Sequence, residues 1–385
     1  MKRTNDIGWN KLSLLLLMVA AVLVGACSDG DSDPTSGPDA SMSCLQLDGL
    51  TRAGESPARS ASGYHAATDN GAVMALLMTD PANEDNPNNF YEFGQFEYTS
   101  KGWISTLYAK SVGNPTYHLY GFMPAEADES DVADLYKPLK VESVDQDYSE
   151  GITLTLHTSP VSFYDVCVIT GVQHYTNDDI VDDNPPAVNI QDGTFGFEMT
   201  TSKDHYLRVM TDHIYAGVSF TMKVNATYAA LRTIKLRELD LKVSGYSPEI
   251  DIPVKANNTG ADPIGTIGLT KDVNKKQEIS FFRGELTLSA EAQTVGVSGN
   301  AVWGYFIPDA DVVESLKLVS TYDVYDTKGN LVREGCTAEN RLNLAVREMT
   351  RGQLKTVNLT VSPTYLYVLS EPDLENPISL IDDDE

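Results

Sequence analysis

Apolar and polar residues alternate through most of the chain beyond residue 45. Clear runs lie at residues 152–156, 218–224, 239–243, 250–254, 286–288 and 357–361. Because successive side chains of a strand point to opposite faces, this period of two predicts strands with one buried face. Pro253 has no N–H to donate to a ladder, so we expect it at a sheet edge or a bulge.

Turn-forming residues separate these runs at short intervals. Residues 326–330, Asp-Thr-Lys-Gly-Asn, lie between two short runs, and residues 257–260, Asn-Asn-Thr-Gly, form a second break. Such spacing favours antiparallel meanders and sandwiches. Helical periodicity is weak, and we expect only short helices at residues 128–136 and within residues 338–349. The pattern predicts an all-β fold with minor helical insertions.

The first residues have the order of a secretory signal. Basic residues precede an apolar run at residues 12–24, and Gly25 and Ala26 lead to Cys27. The run is shorter than the roughly 20 residues of a transmembrane helix. Residues 23–27, Leu-Val-Gly-Ala-Cys, resemble the lipobox of bacterial lipoproteins, which implies cleavage before Cys27 and its acylation. Several acyl chains anchor a protein stably. The alternative is ordinary secretion with a coincidental cysteine.

A polar, acidic segment follows the leader. We predict a signal peptide at 1–26 and a flexible tether at 27–45, because the tether offers little apolar surface to bury. Its acidic residues either resemble the surface-export signal of Bacteroidales lipoproteins or form a plain spacer. About 340 residues remain, which is more than a single domain with one hydrophobic core usually contains. We therefore predict β-sandwich domains at 46–204 and 205–385.

Charge and cysteine usage narrow the class of protein. The net charge of −27 and the pI near 4.4 argue against a nucleic acid partner, because a phosphate backbone would be repelled. Beyond Cys27, the widely spaced Cys44, Cys167 and Cys336 are not the framework of a disulfide-stapled fold, although one pair could form. The core must therefore supply most of the stability.

The C-terminal residues 352–373, from Gly352 through Pro363 to Asp373, resemble the last two strands of the fimbrillin-like proteins of Bacteroidales. The lipobox, the segment 50–53 behind the tether and the run 213–221 agree with that family. The resemblance implies two tandem transthyretin-like Greek-key sandwiches, exported as a lipoprotein to the outer membrane and assembled into a surface fimbrium. The implied partners are other fimbrial subunits and a host or bacterial receptor. The chain would serve as stalk, anchor or tip.

In that family a protease that cuts after arginine removes the first strand, and a strand from a neighbouring subunit fills the exposed groove. The candidate cleavage sites here are Arg52 and Arg59, although arginine in a linker often has no such role. The candidate donor strand consists of Tyr365, Leu366, Tyr367, Val368 and Leu369. The alternative is that these residues form an ordinary strand of their own subunit.

Motifs of common enzymes are missing from the sequence, including a nucleophile elbow, a zinc-protease helix and a phosphate loop. We expect no enzyme activity, no cofactor and no metal site, although paired carboxylates of the glycosidase kind cannot be judged from sequence. The acidic residues of 178–183 are interpreted as a solvated loop rather than a Ca²⁺ site. The histidines lack the spacing of metal ligands; they are His65, His118, His157, His174, His205 and His213.

A surface lipoprotein that binds carbohydrate is the alternative function. Trp103 and Trp303 are the tryptophans outside the leader, and aromatic platforms commonly bind sugars. Their apolar neighbours indicate strand core rather than an exposed platform.

Overall fold

The computed structural model describes residues 42–52, 72–79, 91–99, 102–123, 141–145, 150–202, 204–256 and 261–361. Most of these residues lie in strands, which pair into three sheets. Within the described part of the chain, no helix has the length and apolar character needed to cross a bilayer.

The first sheet has the order β4-β3-β2-β6-β10-β12-β1-β5, and β11 pairs with β6. Its strands are antiparallel except for β1 and β12, which run parallel. The strands are β1 (Met42–Arg52), β2 (Ala72–Thr79), β3 (Tyr91–Thr99), β4 (Gly102–Ser105), β5 (Tyr108–Lys110), β6 (Thr116–Met123), β10 (Cys167–Thr176), β11 (Gly196–Glu198) and β12 (His205–His213).

The second sheet has the order β17-β16-β13-β18-β9, and β21 pairs in parallel with β13. The third has the order β20-β19-β14-β8-β7, and β15 pairs with β14. Their strands are β7 (Val141–Asp145), β8 (Gly151–Leu156), β9 (Val161–Ser162), β13 (Ala216–Val224), β14 (Thr233–Lys255), β15 (Gly268–Leu288), β16 (Gln293–Val297), β17 (Asn300–Ala301), β18 (Gly304–Phe306), β19 (Lys317–Tyr325), β20 (Leu331–Arg341) and β21 (Leu354–Val361).

Two clusters of buried apolar side chains form the core. The first cluster contains the inward residues of the first sheet, of β8 and of the end of β14. The second cluster contains those of β13, of the start of β14 and of β19. The chain passes from the first cluster to the second between Tyr215 and Ala216, where β12 is followed almost at once by β13.

Helices are few and short among the described residues. They are a 3-10 helix at Asn177–Asp179, α1 (Ala226–Ala229), α2 (Ala310–Ser315) and α3 (Asn343–Val346). The Asp309 side chain caps α2 by accepting from the backbone N–H groups of Asp311 and Val312. α3 lies within residues 338–349, as predicted. The predicted helix at 128–136 lies outside the described residues.

The turn predicted at residues 326–330 is confirmed, and it joins β19 to β20. β19 and β20 pair antiparallel, and the Asp326 carboxylate accepts hydrogen bonds from the side chain and backbone of Asn330 and from the backbone of Lys328. These bonds lower the pKa of Asp326, with the Asn330 side chain as the largest cause. The left-handed Gly329 completes the turn.

Pro253 lies where the regular β14–β15 ladder has already ended at Asp251 and Gly268. Its carbonyl accepts from the Gly265 N–H at 2.8 Å, and its other neighbour is Thr153 of β8. Pro253 therefore lies just past the end of the β14–β15 ladder, and its pairing with β8 has no register shift. The break at residues 257–260 lies outside the described residues.

These findings confirm the all-β fold with minor helical insertions. The transthyretin-like Greek-key topology and the domain division at 204/205 stay predictions. β12 starts at the predicted junction and pairs within the first sheet through His213. β1 already begins at Met42, inside the range predicted as tether, because the apolar residues around Leu45 have a core to enter.

Candidate functional site

The first strand, β1, is an interior strand of the first sheet. It pairs in parallel with β12 from Leu45 to Arg52, and its first residues pair antiparallel with β5. The backbone N–H of Leu45 also donates to the carbonyl of Leu107 at 3.0 Å. The start of β1 therefore pairs with β5 and the rest of it pairs with β12, so its loss would leave backbone groups of both neighbouring strands unpaired.

The side chains of β1 fill the first cluster. Leu45 is fully buried, Leu47 is nearly so, and Leu50 packs partly buried against the same cluster. The register with β12 shifts between Leu47 and Gly49, which places Asp48 at a bulge. The alternation of β1 therefore delivers leucines inward and, at the bulge, one acidic side chain.

That acidic side chain pairs with a buried cation. Asp48 Oδ2 lies 2.6 Å from Arg208 Nε, and the Arg208 side chain is only 7% exposed. Arg208 Nη1 donates to the Pro186 carbonyl at 2.6 Å, and its guanidinium lies 4.7 Å from the centre of the Tyr175 ring. Burial, together with a hydrogen bond to Asp48, raises the pKa of Tyr175 to about 12. A charged network therefore fixes the middle of β1 to β12 and β10.

Of the predicted cleavage sites, Arg52 is the last residue of β1, in register with Thr211 of β12. The next described residue along the chain is Ala72, the first of β2. Arg59 lies between these two strands in sequence, outside the described residues. A cut at either arginine would therefore separate β1 from β2 covalently. Cys27 and the donor residues Tyr365 to Leu369 also lie outside the described residues.

A histidine pair lies at the start of β12. His174 Nε2 and His205 Nδ1 are 3.0 Å apart, and the two rings stack with centroids 5.2 Å apart. Burial first, and the neighbouring His205 second, lower the pKa of His174 to about 4. Burial also lowers the pKa of His205. The pair is therefore held neutral near pH 7.

Three side chains of metal-ligand type lie together at the other end of β12. Cys167 and His213 are cross-strand partners on β10 and β12, and Asp165 lies two residues before Cys167. His213 Nδ1 lies 3.3 Å from Cys167 Sγ and 2.8 Å from Asp165 Oδ1. Sequence spacing missed this group because His213 is brought to Cys167 only by the pairing of β10 with β12. The one local signal was the spacing of Asp165 and Cys167, which are two residues apart.

Trp103 and Trp303 both pack, partly buried, against the first cluster. Trp103 also meets the Tyr98 ring edge to face at 5.2 Å. These contacts agree with the interpretation of both residues as core. In the acidic loop, Asp179 accepts from the backbone and hydroxyl of Thr176, so its carboxylate serves the local turn.

No protein-family model and no curated protein sequence matches the chain. Solved structures do match. A fimbrial protein of Bacteroides vulgatus is 14% identical over 82% of this chain and 95% of its own, with a TM-score of 0.44. A candidate cell adhesion protein of Bacteroides uniformis is 14% identical over 84% and 95%, with a TM-score of 0.38.

A fimbrial assembly protein of Parabacteroides distasonis is 12% identical over 84% of this chain and 92% of its own, with a TM-score of 0.33. These structural neighbours belong to the same group of bacteria as the fimbrillin-like proteins that the sequence resembles.

Proposed function

We propose that this chain is a structural or adhesive subunit of a surface fimbrium that polymerises by exchange of its first strand. In this proposal Cys27 anchors the precursor to the outer membrane, cleavage at Arg52 or Arg59 frees β1, and a strand from another subunit takes its place. The observation that carries the proposal is the position of β1: an interior core strand that ends at a candidate cleavage site.

The energetics of β1 support a long-lived joint between subunits. Burying Leu45 and Leu47 stabilises the fold by roughly 2 kcal/mol each, and the partly buried Leu50 adds to this, before the backbone ladder is considered. A cut strand held by such contacts leaves slowly. A replacement strand of similar apolar pattern would gain the same contacts through β-augmentation.

Strand direction also supports the exchange. β1 runs parallel to β12, and β21 runs parallel to β13, the strand that follows β12. The predicted donor, Tyr365 to Leu369, follows β21 in the sequence. A donor strand that paired in parallel with β12 would take the place that β1 has now.

We further propose that the chain has no catalytic role. Among the described residues, Asp165, Cys167 and His213 form a cluster that resembles a catalytic triad, but the thiol and the carboxylate both lie at the same ring nitrogen, His213 Nδ1. In a catalytic triad the nucleophile and the carboxylate contact opposite nitrogens of the histidine ring. Cys167 and His213 are also buried, which leaves no room for a substrate.

The experiment is digestion of the purified chain with an arginine-specific protease, followed by electrophoresis in SDS without boiling. We expect a ladder of SDS-resistant oligomers. A variant with both Arg52→Lys and Arg59→Lys should give no ladder, whereas Arg347→Lys, at an exposed arginine elsewhere, should behave as wild type. Deleting residues 363–385 should also abolish the ladder. A ladder that persists in the double-lysine variant would overturn the exchange of β1, and one that persists after the deletion would exclude the C-terminal donor.

A further inference from the structure

The side chains of Asp165, Cys167 and His213 form a compact group at the boundary between the two clusters. Their potential ligand atoms all lie within 4.8 Å of one another. The Asp165 and His213 side chains are only 10% and 3% exposed, and Cys167 is buried. One oxygen of the Asp165 carboxylate, Oδ2, is buried without a hydrogen-bond partner. A buried carboxylate oxygen left in this way is costly unless a cation or donor meets it.

We propose that these three residues form a buried binding site for a zinc ion. Thiolate, imidazole and carboxylate are the three ligand types that Zn²⁺ takes in proteins, and the thiolate selects against Mg²⁺ and Ca²⁺. One thiolate and one carboxylate balance the charge of the ion, which suits a site removed from water. A tetrahedral ion has room for a fourth ligand, and Asp165 Oδ2 lies within the same group.

The distances fit this ion with a small adjustment. Ordinary zinc bond lengths in a tetrahedron place sulfur and nitrogen ligands roughly 3.5 Å apart, and nitrogen and oxygen ligands roughly 3.4 Å apart. The corresponding separations here are 3.3 Å and 2.8 Å. To admit the ion, His213 Nδ1 would have to move away from Asp165 Oδ1 by about 0.6 Å and from Cys167 Sγ by about 0.2 Å.

The position of the site indicates what the ion would do. Asp165 and Cys167 lie where the chain leaves β9 of the second sheet and enters β10 of the first. His213 ends β12 of the first sheet, just before β13 of the second. The ion would therefore join two crossings of the chain between the sheets, and its role is structural rather than catalytic.

The test is metal binding by the purified full chain, with Cys336→Ser as the matched control, because Cys336 is a cysteine of β20 that lies outside the cluster. After exposure to Zn²⁺ and removal of the excess, we expect about one zinc per chain in wild type and in Cys336→Ser. Loading with Co²⁺ should give a thiolate-to-metal charge-transfer band in both. Cys167→Ser should lose the band and at least about nine-tenths of the bound zinc.

Asp165→Asn supplies a second variant with nearly unchanged shape. We expect it to weaken zinc binding at least tenfold while the charge-transfer band remains, since the thiolate is retained. Circular dichroism shows whether each variant is folded. If Cys167→Ser does not fold, the zinc affinity of Asp165→Asn tests the proposal in its place. The proposal is overturned if wild type binds no zinc, if the band survives in Cys167→Ser, or if Asp165→Asn binds as tightly as wild type.

Discussion

The pairing of Asp48 with Arg208 makes a sharp prediction about what holds β1 in place. Asp48→Asn keeps the shape of the side chain and removes its charge. Arg208, which is only 7% exposed, then has no carboxylate to balance its charge, although the Pro186 carbonyl and the Tyr175 ring remain as neighbours. The substitution therefore tests whether a charge, rather than shape alone, fixes the middle of the strand.

The magnitude follows from the exposure of the two groups. Removing one partner of a fully buried ion pair costs roughly 3–5 kcal/mol. Asp48 is 34% exposed, so water weakens the attraction that is lost. A hydrogen bond to a charged group contributes about 1.5–3 kcal/mol. We expect Asp48→Asn to lower the free energy of unfolding by about 2 kcal/mol.

The assay is urea unfolding of a chain that starts at residue 27, followed by tryptophan fluorescence. Trp103 and Trp303 both pack against the first cluster, so their emission reports on the region that contains β1. With a slope of about 2 kcal/mol per molar urea, the midpoint should fall by about 1 M. The double variant Asp48→Asn with Arg208→Met should recover part of this loss, because no buried cation then remains.

The control is Asp311→Asn, which breaks the exposed ion pair with Lys271 and should change stability by no more than about 0.5 kcal/mol. If Asp48→Asn has an effect as small as this control, the charge of Asp48 does not hold β1, and the reasoning is refuted.

Other perturbations test the packing and titration around the same core. Leu45→Ala should lower the free energy of unfolding by about 2–5 kcal/mol in the same fluorescence assay, and a loss below about 1 kcal/mol would contradict its full burial. The pKa of His174 is lowered from an ordinary 6.5 to about 4, so the contribution of the neutral ring to stability is fully present above pH 6.5 and is lost as the pH falls toward 4. Melting temperatures measured over this pH range should therefore fall less steeply in His174→Gln than in wild type. Gly151→Ala should cost at least about 2 kcal/mol, because a Cβ there would lie 2.1 Å from the Val254 carbonyl oxygen. Gly299→Ala, at a left-handed glycine in open space, should cost only about 1 kcal/mol; equal losses in the two variants would show that the close contact is unimportant.

Much of the fold follows from the alternation of apolar residues. The runs at 152–156, 218–224 and 357–361 are strands β8, β13 and β21, because each has one face in a core cluster. The runs at 239–243 and 250–254 belong to one strand, β14. Between these two runs the alternation of apolar and polar residues is interrupted, and register shifts after Ser244 and after Tyr246 keep β14 paired with β15 there. Such irregular pairing cannot be recognised from the local sequence.

Strand β15 shows the opposite limit of the pattern. Most of its first half is polar and exposed, and Val273 is an exposed apolar residue there. Its extended shape comes from pairing with β14 rather than from burial, so a search for alternating hydrophobicity passes over it.

The candidate sites divide in the same way. Arg52 could be proposed from its local sequence, because a protease reads a short segment. The partners Asp48 and Arg208, and the cluster of Asp165, Cys167 and His213, depend on which strands become neighbours. Asp48 and Arg208 are 160 residues apart in the chain, and Cys167 and His213 are 46 apart. No spacing rule connects such distant positions, because strand order decides their contact.

Strand β14 has a mechanical consequence. Its first half contributes Ile234, Leu236 and Leu241 to the second cluster, and its last residues contribute Ile252 and Val254 to the first. A pull along β14 would load its ladders with β15, β19 and β8 in shear, so many hydrogen bonds would have to break together. Because β14 contributes to both clusters, it would resist the separation of one cluster from the other.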